Sequence, residues 1–264
     1  MNYRGRLATS HNGYLHLGHA RTFWIAQERA RAAGGTLLYR NENLDSDRCK
    51  PEYTVAAIED CRWIGLHWEG DVLHQSGRHD LYRKAFEQLK QSGYLFPCTC
   101  TRRDLENAVA APHGENGETI YPGTCREQTT PPEADCNWRF RVPDGEHVTF
   151  EDAHYGPQQF VAGRDFGDFP VWQKNGMPSY QLAVVVDDAA QEITEVVRGA
   201  DLLVSTARQL LLYRALELIA PSFYHCDLML DVEGNRLAKR NKALSLRELR
   251  TNGKTPEEVR KEWI

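Results

Sequence analysis

The chain has 264 residues, of which 41% are hydrophobic and 26% charged, and its formal net charge is −5 at pH 7. That length suits one large domain, or one domain with a sizeable insertion, and the composition supports a buried core. The negative balance argues against broad electrostatic binding of nucleic acid, although a local basic face is compatible with it.

Compartment and redox state follow from the same composition. No apolar run approaches the roughly 20 residues that cross a membrane, and the N-terminus lacks the apolar stretch of a secretory signal. The seven cysteines are an odd number, and only one cluster of them has a suggestive spacing. We therefore expect a reduced, cytoplasmic protein.

A strand, a glycine loop, a helix and a second strand follow one another near the N-terminus. We predict the strands at residues 5–8 and 36–40 and the helix at residues 18–33, closed by Gly34 and Gly35. A glycine directly after the last helical residue is typical of a helix C-terminus. Strand, helix and strand in this order indicate a βαβ unit with a parallel sheet and a right-handed crossover.

Two further helices are predicted, at residues 51–64 and 80–91. The chain then changes character, because residues 98–170 include a polar, Gly- and Pro-rich stretch and short strand-like pieces at 138–142 and 147–150. We interpret this region as a small α+β insertion into a nucleotide-binding fold.

The halves of that fold are assigned to residues 1–97 and 171–240. In the second half, the apolar run at 180–186 predicts a buried parallel strand, and residues 193–197 predict another. A leucine-rich helix is expected at 201–219.

Two more elements complete the prediction. Residues 227–231 are predicted to form a short strand that leads into a basic segment. The last residues, 241–264, are predicted to form a short helical C-terminal segment.

The motif LHLGH occupies residues 15–19, at the predicted start of the first helix. A helix N-terminus attracts phosphate, and Gly18 lets the backbone approach closely. His16 and His19 would aim donors at phosphate oxygens, on which charge develops when a carboxylate attacks the α-phosphate. Taken alone, the motif fits two surface histidines at a helix start equally well.

A basic segment with the sequence RLAKR, residues 236–240, follows the last predicted strand and is called the basic loop below. Its Lys239 could hold the β- and γ-phosphates of a nucleotide. Sequences of this kind are usually solvated surface. Together with the histidine motif, however, the basic loop can bind the two ends of one triphosphate, which indicates nucleotide activation.

Polar and charged residues stand where the first two predicted strands end, which is where open parallel sheets bind ligands. Arg6 could hold a carboxylate bidentately, Ser10 lies nearby, and Glu42 could hold an ammonium group. Together they suit an amino acid. The alternative is a salt bridge between Arg6 and Glu42.

Tyr180 and Arg198 lie at the start and the end of the later predicted strand pair. A second arginine beside the pocket would suit a ligand with two carboxylates. The alternative is that this arginine pairs with a local carboxylate.

Cys98, Cys100 and Cys125 have metal-ligand spacing. Three thiolates and one further donor would make a closed tetrahedral zinc site, and such a site could stabilise an insertion with little core. By its chemistry His113 is the more ordinary fourth ligand, and Tyr121 is an uncommon one. The alternative is three unrelated buried cysteines.

Taken together, these motifs resemble those of class I glutamyl-tRNA synthetases, and especially of their shortened subfamily, the glutamyl-queuosine tRNA(Asp) synthetases. The opening RLATSHNGYLHLGHAR at 6–21 is similar to the family's RFAPSPTGxLHxGHAR, and 40–45 is similar to its R-I-E-D-x-D. The blocks at 180–188 and 194–202 are close to the family, and the basic loop resembles its KMSKS loop. The resemblance covers nearly the whole chain.

This resemblance implies a class I aminoacyl-tRNA synthetase fold of Rossmann type, an α/β architecture with a parallel sheet. It also implies a small zinc-bearing insertion and a short helical C-terminus. Because the chain continues for only about 24 residues beyond the basic loop, no anticodon-binding domain is expected. A monomer is expected as well.

The implied activity is ATP-dependent formation of glutamyl-adenylate from L-glutamate without tRNA, followed by transfer of glutamate to queuosine in the anticodon of tRNA(Asp). Mg²⁺ would accompany ATP, since the charge on the triphosphate needs neutralising, and Zn²⁺ would be structural. The alternatives are a glutamate-activating ligase with a different acceptor and a non-catalytic RNA-binding paralogue. A pure binder would not need the histidines, Glu42 and Lys239 together.

The resemblance also implies the site residues. The implied L-glutamate site consists of Arg6, Leu7, Ala8, Thr9, Ser10, Glu42, Tyr180 and Arg198. The implied ATP site consists of His16, Gly18, His19, Arg236 and Lys239, and His16, His19 and Lys239 are its catalytic residues. The implied zinc ligands are Cys98, Cys100, Tyr121 and Cys125, which favours Tyr121 over His113. We expect Glu42 on the α-ammonium group, and the two carboxylates stay unassigned between the arginines.

Some positions depart from the family pattern. Thr9 and His11 replace prolines, Asn43 replaces an aspartate, and in the basic loop Arg236 and Ala238 replace a lysine and a serine. None of these changes removes a residue that contacts ligand in the implied chemistry.

Overall fold

The computed structural model describes residues 2–10, 12–45, 47–101, 103–104, 120–129, 131, 135–229 and 244–263. The chain divides into two compact units. The first comprises residues 1–77, 192–201 and 221–264, and the second comprises residues 78–191 and 202–220.

Helices and strands alternate along both units. In the described ranges the helices are α1 (Leu17–Ala32), α2 (Pro51–Trp63), α3 (His79–Gln91), α4 (Tyr180–Ala190), α5 (Leu203–Ala215), α6 (Leu246–Thr251) and α7 (Pro256–Arg260). The strands there are β1 (Arg4–Thr9), β2 (Thr36–Asn41), β3 (Leu73–His74), β4 (Leu95–Cys98), β5 (Asn137–Phe140), β6 (His147–Asp152), β7 (Gly156–Val161), β8 (Phe169–Trp172), β9 (Glu195–Gly199) and β10 (Ser222–Cys226).

The first unit is built on parallel strands. β2 pairs in parallel with both β1 and β3, and β9 pairs in parallel with β10. β9 is reached from a segment that lies beside β1, since the amide of Thr194 donates to the carbonyl oxygen of Arg4 at 2.9 Å. The predicted βαβ unit is thus confirmed. β1 is one residue longer than predicted at each end, and β2 is one residue longer at its C-terminal end.

Helix α1 ends as its sequence predicts. Ala33 is its last capping residue, and Gly34 follows with φ +59°, a left-handed conformation that glycine adopts without strain. The amide of Gly35 donates to the carbonyl of Ala30 at 2.9 Å and that of Gly34 to Arg31 at 3.0 Å. This pair of bonds satisfies carbonyl groups at the helix end and returns the chain into β2.

A buried carboxylate ties α1 to the strands of the first unit. Glu195 on β9 accepts two hydrogen bonds of 2.7 Å from Arg29 on α1 and one of 2.8 Å from the hydroxyl of Tyr3. The guanidinium of Arg29 also lies 4.1 Å from the ring centroid of Tyr224 on β10. The Arg29–Glu195 pair therefore connects α1 to β9, to β10 and to the segment before β1. Bidentate geometry of this kind is the strong form of an ion pair.

The second unit carries antiparallel strands. β5 pairs with both β4 and β8 in antiparallel orientation, and β6 and β7 form a hairpin. This unit contains the residues of the predicted insertion, 98–170, but it begins earlier, at residue 78, and also includes α4 and α5.

The prediction of a buried strand at residues 180–186 is wrong, because these residues form the first turns of α4. A short continuous apolar run fits a strand or a buried helix equally well, and periodicity does not separate them. α4 is buried on almost every side, so its sequence is apolar all round. Its buried residues are Leu182, Ala183, Val184, Val185, Val186, Asp187 and Asp188.

Two other predictions need correction. The last strand, β10, occupies Ser222–Cys226 and not the predicted 227–231; residues 227–229 are irregular, and 230 and 231 lie outside the described residues. Phe223 and Tyr224 in β10 favour a strand more strongly than the sequence DLMLD at 227–231, which contains two aspartates. The helix predicted at 201–219 is shorter in the structure, since α5 begins at Leu203 and ends at Ala215. Just beyond its end, Glu217 has φ 57°, which is not a right-handed helical value.

The remaining elements agree with prediction. The helices predicted at 18–33, 51–64 and 80–91 are α1, α2 and α3, each within one residue at either end. The C-terminal segment contains two short helices, α6 and α7. None of the helices in the described ranges combines the length and the apolarity that a bilayer crossing requires.

The two glycines after α1 should respond differently to substitution. A Cβ on Gly35 would overlap the backbone oxygen of Tyr3, whereas a Cβ on Gly34 would meet nothing within 4 Å. We expect Gly35→Ala to lower the free energy of unfolding by about 1–3 kcal/mol, as overpacking does. Gly34→Asn should cost less, because asparagine tolerates the left-handed region. Urea unfolding of both variants checks this, and equal losses would contradict the assigned clash.

Candidate active site

The LHLGH motif forms the N-terminus of α1. His16 is the residue before the helix, and its Nδ1 accepts from the amide of Gly18 at 3.2 Å. The Nδ1 of His19 accepts from the amide of His16 at 3.4 Å, so the two imidazoles cap the helix reciprocally. Their ring centroids are 3.9 Å apart.

This capping settles the chemistry of the two rings. A nitrogen that accepts a hydrogen bond carries no proton, so each neutral ring carries its proton on Nε2. An Nε2–H group is a donor, which is what a phosphate oxygen requires. Gly18 is needed beside them, because a Cβ there would lie 3.2 Å from Cε1 of His16.

Three polar side chains lie along β1 and just after it. Arg6 is 4% exposed, and its guanidinium donates to the carbonyl of Val197 on β9 at 3.2 Å. The hydroxyl of Thr9 lies 3.1 Å from that of Tyr39 on β2. Ser10 follows at the exposed end of the strand.

Leu7 and Ala8 lie between these residues in β1. The side chain of Leu7 is fully buried in the core of the first unit, so only its backbone is suited to contact a ligand. Ala8 is half-buried.

Glu42 lies directly beside the end of β1. Its amide donates to the carbonyl of Thr9 at 2.9 Å, and one carboxylate oxygen is 3.4 Å from the hydroxyl of Ser10. The structure thus places the predicted residues Ser10 and Glu42 side by side at the ends of β1 and β2, whereas Arg6 is the third residue of β1 and contacts β9.

The charge partner of Glu42 is Arg40, a residue that the sequence reasoning missed. The guanidinium of Arg40 donates to Glu42 from Nε at 3.3 Å and from Nη2 at 3.1 Å. Arg40 is fully buried, and the Glu42 side chain is 7% exposed. An arginine inside an otherwise apolar strand is the signal that could have pointed to this pair, because buried charges are almost always paired.

Arg198 lies near the end of β9 and is 5% exposed. Its Nε donates to Nε2 of His225 at 3.2 Å, and the two residues face each other in the parallel register of β9 and β10. His225 is completely buried and was not predicted as a site residue. Only the pairing of the two strands, which a single sequence does not show, reveals its relation to Arg198.

The other predicted ligand-binding residues are described separately. Tyr180 belongs to the second unit, where it begins α4 and is 38% exposed. Arg236 and Lys239, in the basic loop, lie outside the described residues, and so does His113.

Three thiols of the second unit converge. The Sγ atoms of Cys98, Cys100 and Cys125 all lie within 4.8 Å of one another, and the distance between those of Cys100 and Cys125 is 3.6 Å. Sulfur ligands of a tetrahedral zinc ion, with bonds of about 2.3 Å, lie about 3.8 Å apart. The cluster therefore has the dimensions of a zinc site.

The hydroxyl of Tyr121 completes the cluster. It lies 3.4 Å from Sγ of Cys98 and 3.7 Å from that of Cys100, and it accepts from the amide of Cys125 at 2.8 Å. Burial acts to raise the pKa of the Cys125 thiol, but hydrogen bonds from Tyr121 and the neighbouring thiols outweigh it and lower the pKa to about 7. In the same cluster, burial raises the pKa of the Cys100 thiol to about 11 and also raises the pKa of the Tyr121 hydroxyl, so of these three groups Cys125 is the one most readily deprotonated.

Comparison with known proteins identifies the family of the chain. Residues 2–262 match the family described as tRNA synthetases class I (E and Q), catalytic domain. The protein of Symbiobacterium thermophilum named Glutamyl-Q tRNA(Asp) synthetase is 46% identical, over 97% of this chain and 83% of that one. The protein of Rhodobacter capsulatus with the same name is 40% identical, over 97% of this chain and 98% of that one.

Solved structures show the same fold. The glutamate–tRNA synthetase of Elizabethkingia anophelis superposes with a TM-score of 0.79 at 28% identity, and this chain covers 53% of it. A glutamate tRNA ligase of Elizabethkingia meningosepticum, solved in complex with its amino acid, gives a TM-score of 0.78 at 27% identity and the same 53% coverage. The chain thus spans about half the length of these solved relatives.

The fold is therefore that of a class I tRNA synthetase, an α/β architecture with parallel strands. The chain belongs to the family of class I tRNA synthetases for glutamate and glutamine, and it is a ligase of that family. The resemblance inferred from the motifs is confirmed.

Removing the charge of Glu42 should destabilise the first unit. Glu42→Gln would remove a charged partner from the buried guanidinium of Arg40, which we expect to cost about 3 kcal/mol. Urea unfolding measures the loss. Glu28→Gln is the matched control, because Glu28 pairs with Arg31 on the surface with its side chain 51% exposed, and it should change stability by less than about 0.5 kcal/mol. Equal effects of the two variants would contradict a buried Arg40–Glu42 pair.

Proposed function

We propose that the chain activates L-glutamate with ATP to give glutamyl-adenylate, without tRNA, and then transfers the glutamate to queuosine in the anticodon of tRNA(Asp). The observation that carries the proposal is that two buried arginines, Arg6 and Arg198, lie on β1 and β9, which adjoin each other, and that the buried carboxylate of Glu42 follows β2 beside the end of β1. The capped helix with its two histidine donors follows β1 directly. The names of the relatives support the acceptor.

The charges of this site match those of glutamate. Arg6 and Arg198 provide two positive groups for the two carboxylates, and Glu42 provides a negative group for the α-ammonium. His225 holds Arg198 through Nε, which orients the guanidinium for a ligand. Hydrogen bonds to charged groups contribute about 1.5–3 kcal/mol each, so loss of one contact should reduce affinity more than tenfold.

The remaining predicted contacts surround these charged groups. Ala8 and the backbone of Leu7 would line the pocket, and Thr9 and Ser10 would close it near Glu42. Tyr180 stays a predicted glutamate ligand.

The reaction needs positioning and charge stabilisation more than acid–base chemistry. An oxygen of the glutamate carboxylate attacks the α-phosphorus of ATP, a new O–P bond forms, and the P–O bond to pyrophosphate breaks. The Nε2–H donors of His16 and His19, together with Gly18 and the helix N-terminus, would stabilise charge on the phosphate oxygens. Arg236 and Lys239 are proposed to hold the leaving pyrophosphate, and Mg²⁺ would neutralise part of the triphosphate charge.

The cysteine cluster is proposed to hold a structural zinc ion, with Cys98, Cys100, Cys125 and Tyr121 as ligands. The donor set supports this, since three thiolates and one oxygen at tetrahedral spacing leave no open position for catalysis. A bound ion would tie β4 to the segment around residue 125. The predictions of a monomer and of a cytoplasmic location stay predictions.

Pyrophosphate exchange tests the first step. We expect exchange between ATP and labelled pyrophosphate that depends on L-glutamate, without tRNA, and that neither L-glutamine nor L-aspartate supports equally. Arg198→Lys keeps the charge but loses the fork that binds a carboxylate bidentately, so its KM for glutamate should rise at least about tenfold while its KM for ATP stays unchanged. Absence of exchange in the folded, zinc-loaded protein would refute activation without tRNA and leave either an enzyme that requires tRNA or a binding protein.

Metal analysis tests the cysteine cluster. The purified chain should contain one zinc ion, and Cys100→Ser should lose it, because a serine hydroxyl does not supply a thiolate. Cys136→Ser is the matched control, since this half-buried cysteine of the same unit lies outside the three-thiol cluster. Elemental analysis and unfolding with and without a chelator provide the readouts. Full zinc content in Cys100→Ser would contradict the proposed ligand set.

A further inference from the structure

The described C-terminal segment is in direct contact with the histidine motif. Ser245 and His16 form an antiparallel bridge, and the amide of Leu246 donates to the carbonyl of Leu15 at 2.8 Å. Both contacts are made at the start of α6, where Ser245 caps the helix together with Glu248. The backbone on both sides of the His16 Cα thus depends on where α6 lies.

Arg247 is the residue that ties α6 to α2. Its Nη2 lies 2.5 Å from a carboxylate oxygen of Glu59 and 3.4 Å from one of Asp60, and it also lies 3.4 Å from the carbonyl oxygen of Ala56. The same guanidinium lies 5.9 Å from the ring centroid of Tyr14, two residues before His16. A single side chain therefore spans α6, α2 and the segment that leads into the histidine motif.

The guanidinium of Arg247 offsets the charge of a buried carboxyl group. Asp60 is completely buried, and burial raises the pKa of its carboxyl group, against which Arg247 acts. Arg247 side-chain atoms remain 35% exposed, so the charge is partly solvated. Loss of the guanidinium would leave Asp60 buried beside an unneutralised Glu59.

The apolar contact of α6 with the rest of the first unit is small. The helix has six residues and buries Leu246 and Leu249. A second arginine, Arg260, donates to the carbonyl of Ile64 at 2.7 Å and anchors the following helix, α7, at the C-terminal end of α2, about one turn beyond Asp60. The ion pair of Arg247 is thus the polar anchor nearest to His16 on this segment.

We propose that Arg247 is a positioning residue for His16, which it holds in place through α6 and the bridge between Ser245 and His16. It does not touch the reacting atoms. The consequence for ATP rests on the function proposed above, in which His16 donates to phosphate, whereas the structural part does not depend on it.

Two variants on the same helix test the proposal. Arg247→Met keeps the length of the side chain and removes the charge. Arg250→Met is the matched control, because Arg250 is exposed one turn further along α6 and affects Asp60 only through its charge. Far-UV circular dichroism and thermal unfolding establish that both variants fold.

The first readout is the position of His16 without substrate. In protein labelled with ¹⁵N-histidine, the ring signals of His16 should shift in Arg247→Met and stay unchanged in Arg250→Met. Unchanged His16 signals in folded Arg247→Met would overturn the proposal. If that variant does not fold, Asp60→Asn and Arg247→Lys take its place, and Arg247→Lys should give a smaller shift because it keeps one charged contact.

The second readout is pyrophosphate exchange. Displacement of a phosphate-contacting group by a fraction of an ångström should reduce kcat/KM for ATP roughly tenfold, while KM for glutamate remains that of the unsubstituted chain. A rise of KM for glutamate by a similar factor would indicate general destabilisation and contradict the proposal. If the unsubstituted chain shows no exchange but the His16 signals respond, the proposed function fails while the positioning role of Arg247 is supported.

Discussion

The ion pair between Arg40 and Glu42 is the constraint on which the site depends. Arg40 is fully buried in a strand that must pair in parallel with β1, so its charge requires a partner that the fold itself supplies. Glu42 is that partner, and it comes immediately after β2, at the edge where parallel strands bind ligands. Burial thereby fixes one carboxylate beside Ser10.

Local signals were enough to predict the framework around this pair. The first strand, helix α1 with its closing glycines and the second strand follow from hydrophobic pattern and turn chemistry, which act over a few residues. The histidine motif was correctly placed at a helix start, and the structure adds that its rings cap the helix. The three thiols were grouped from their spacing alone, and the structure brings them together.

Contacts between residues that lie far apart in the sequence could not be predicted from these local signals. The apolar run at 180–186 was assigned to a strand, because the helix α4 is buried on almost all sides and so lacks a polar face to show its period. His225 is related to Arg198 only through the register of β9 and β10. Arg247 meets Glu59 and Asp60 across more than 180 positions, and nothing in the sequence near α6 indicates that contact.

The central claim is that the buried charged side chains of Arg6 on β1, Glu42 after β2 and Arg198 on β9 form a pocket for glutamate. A crystal structure of the protein with L-glutamate tests it most directly. We predict the α-ammonium on the carboxylate of Glu42 and the two carboxylates on Arg6 and Arg198. Glutamate bound elsewhere, or bound there with its ammonium group away from Glu42, would contradict the account.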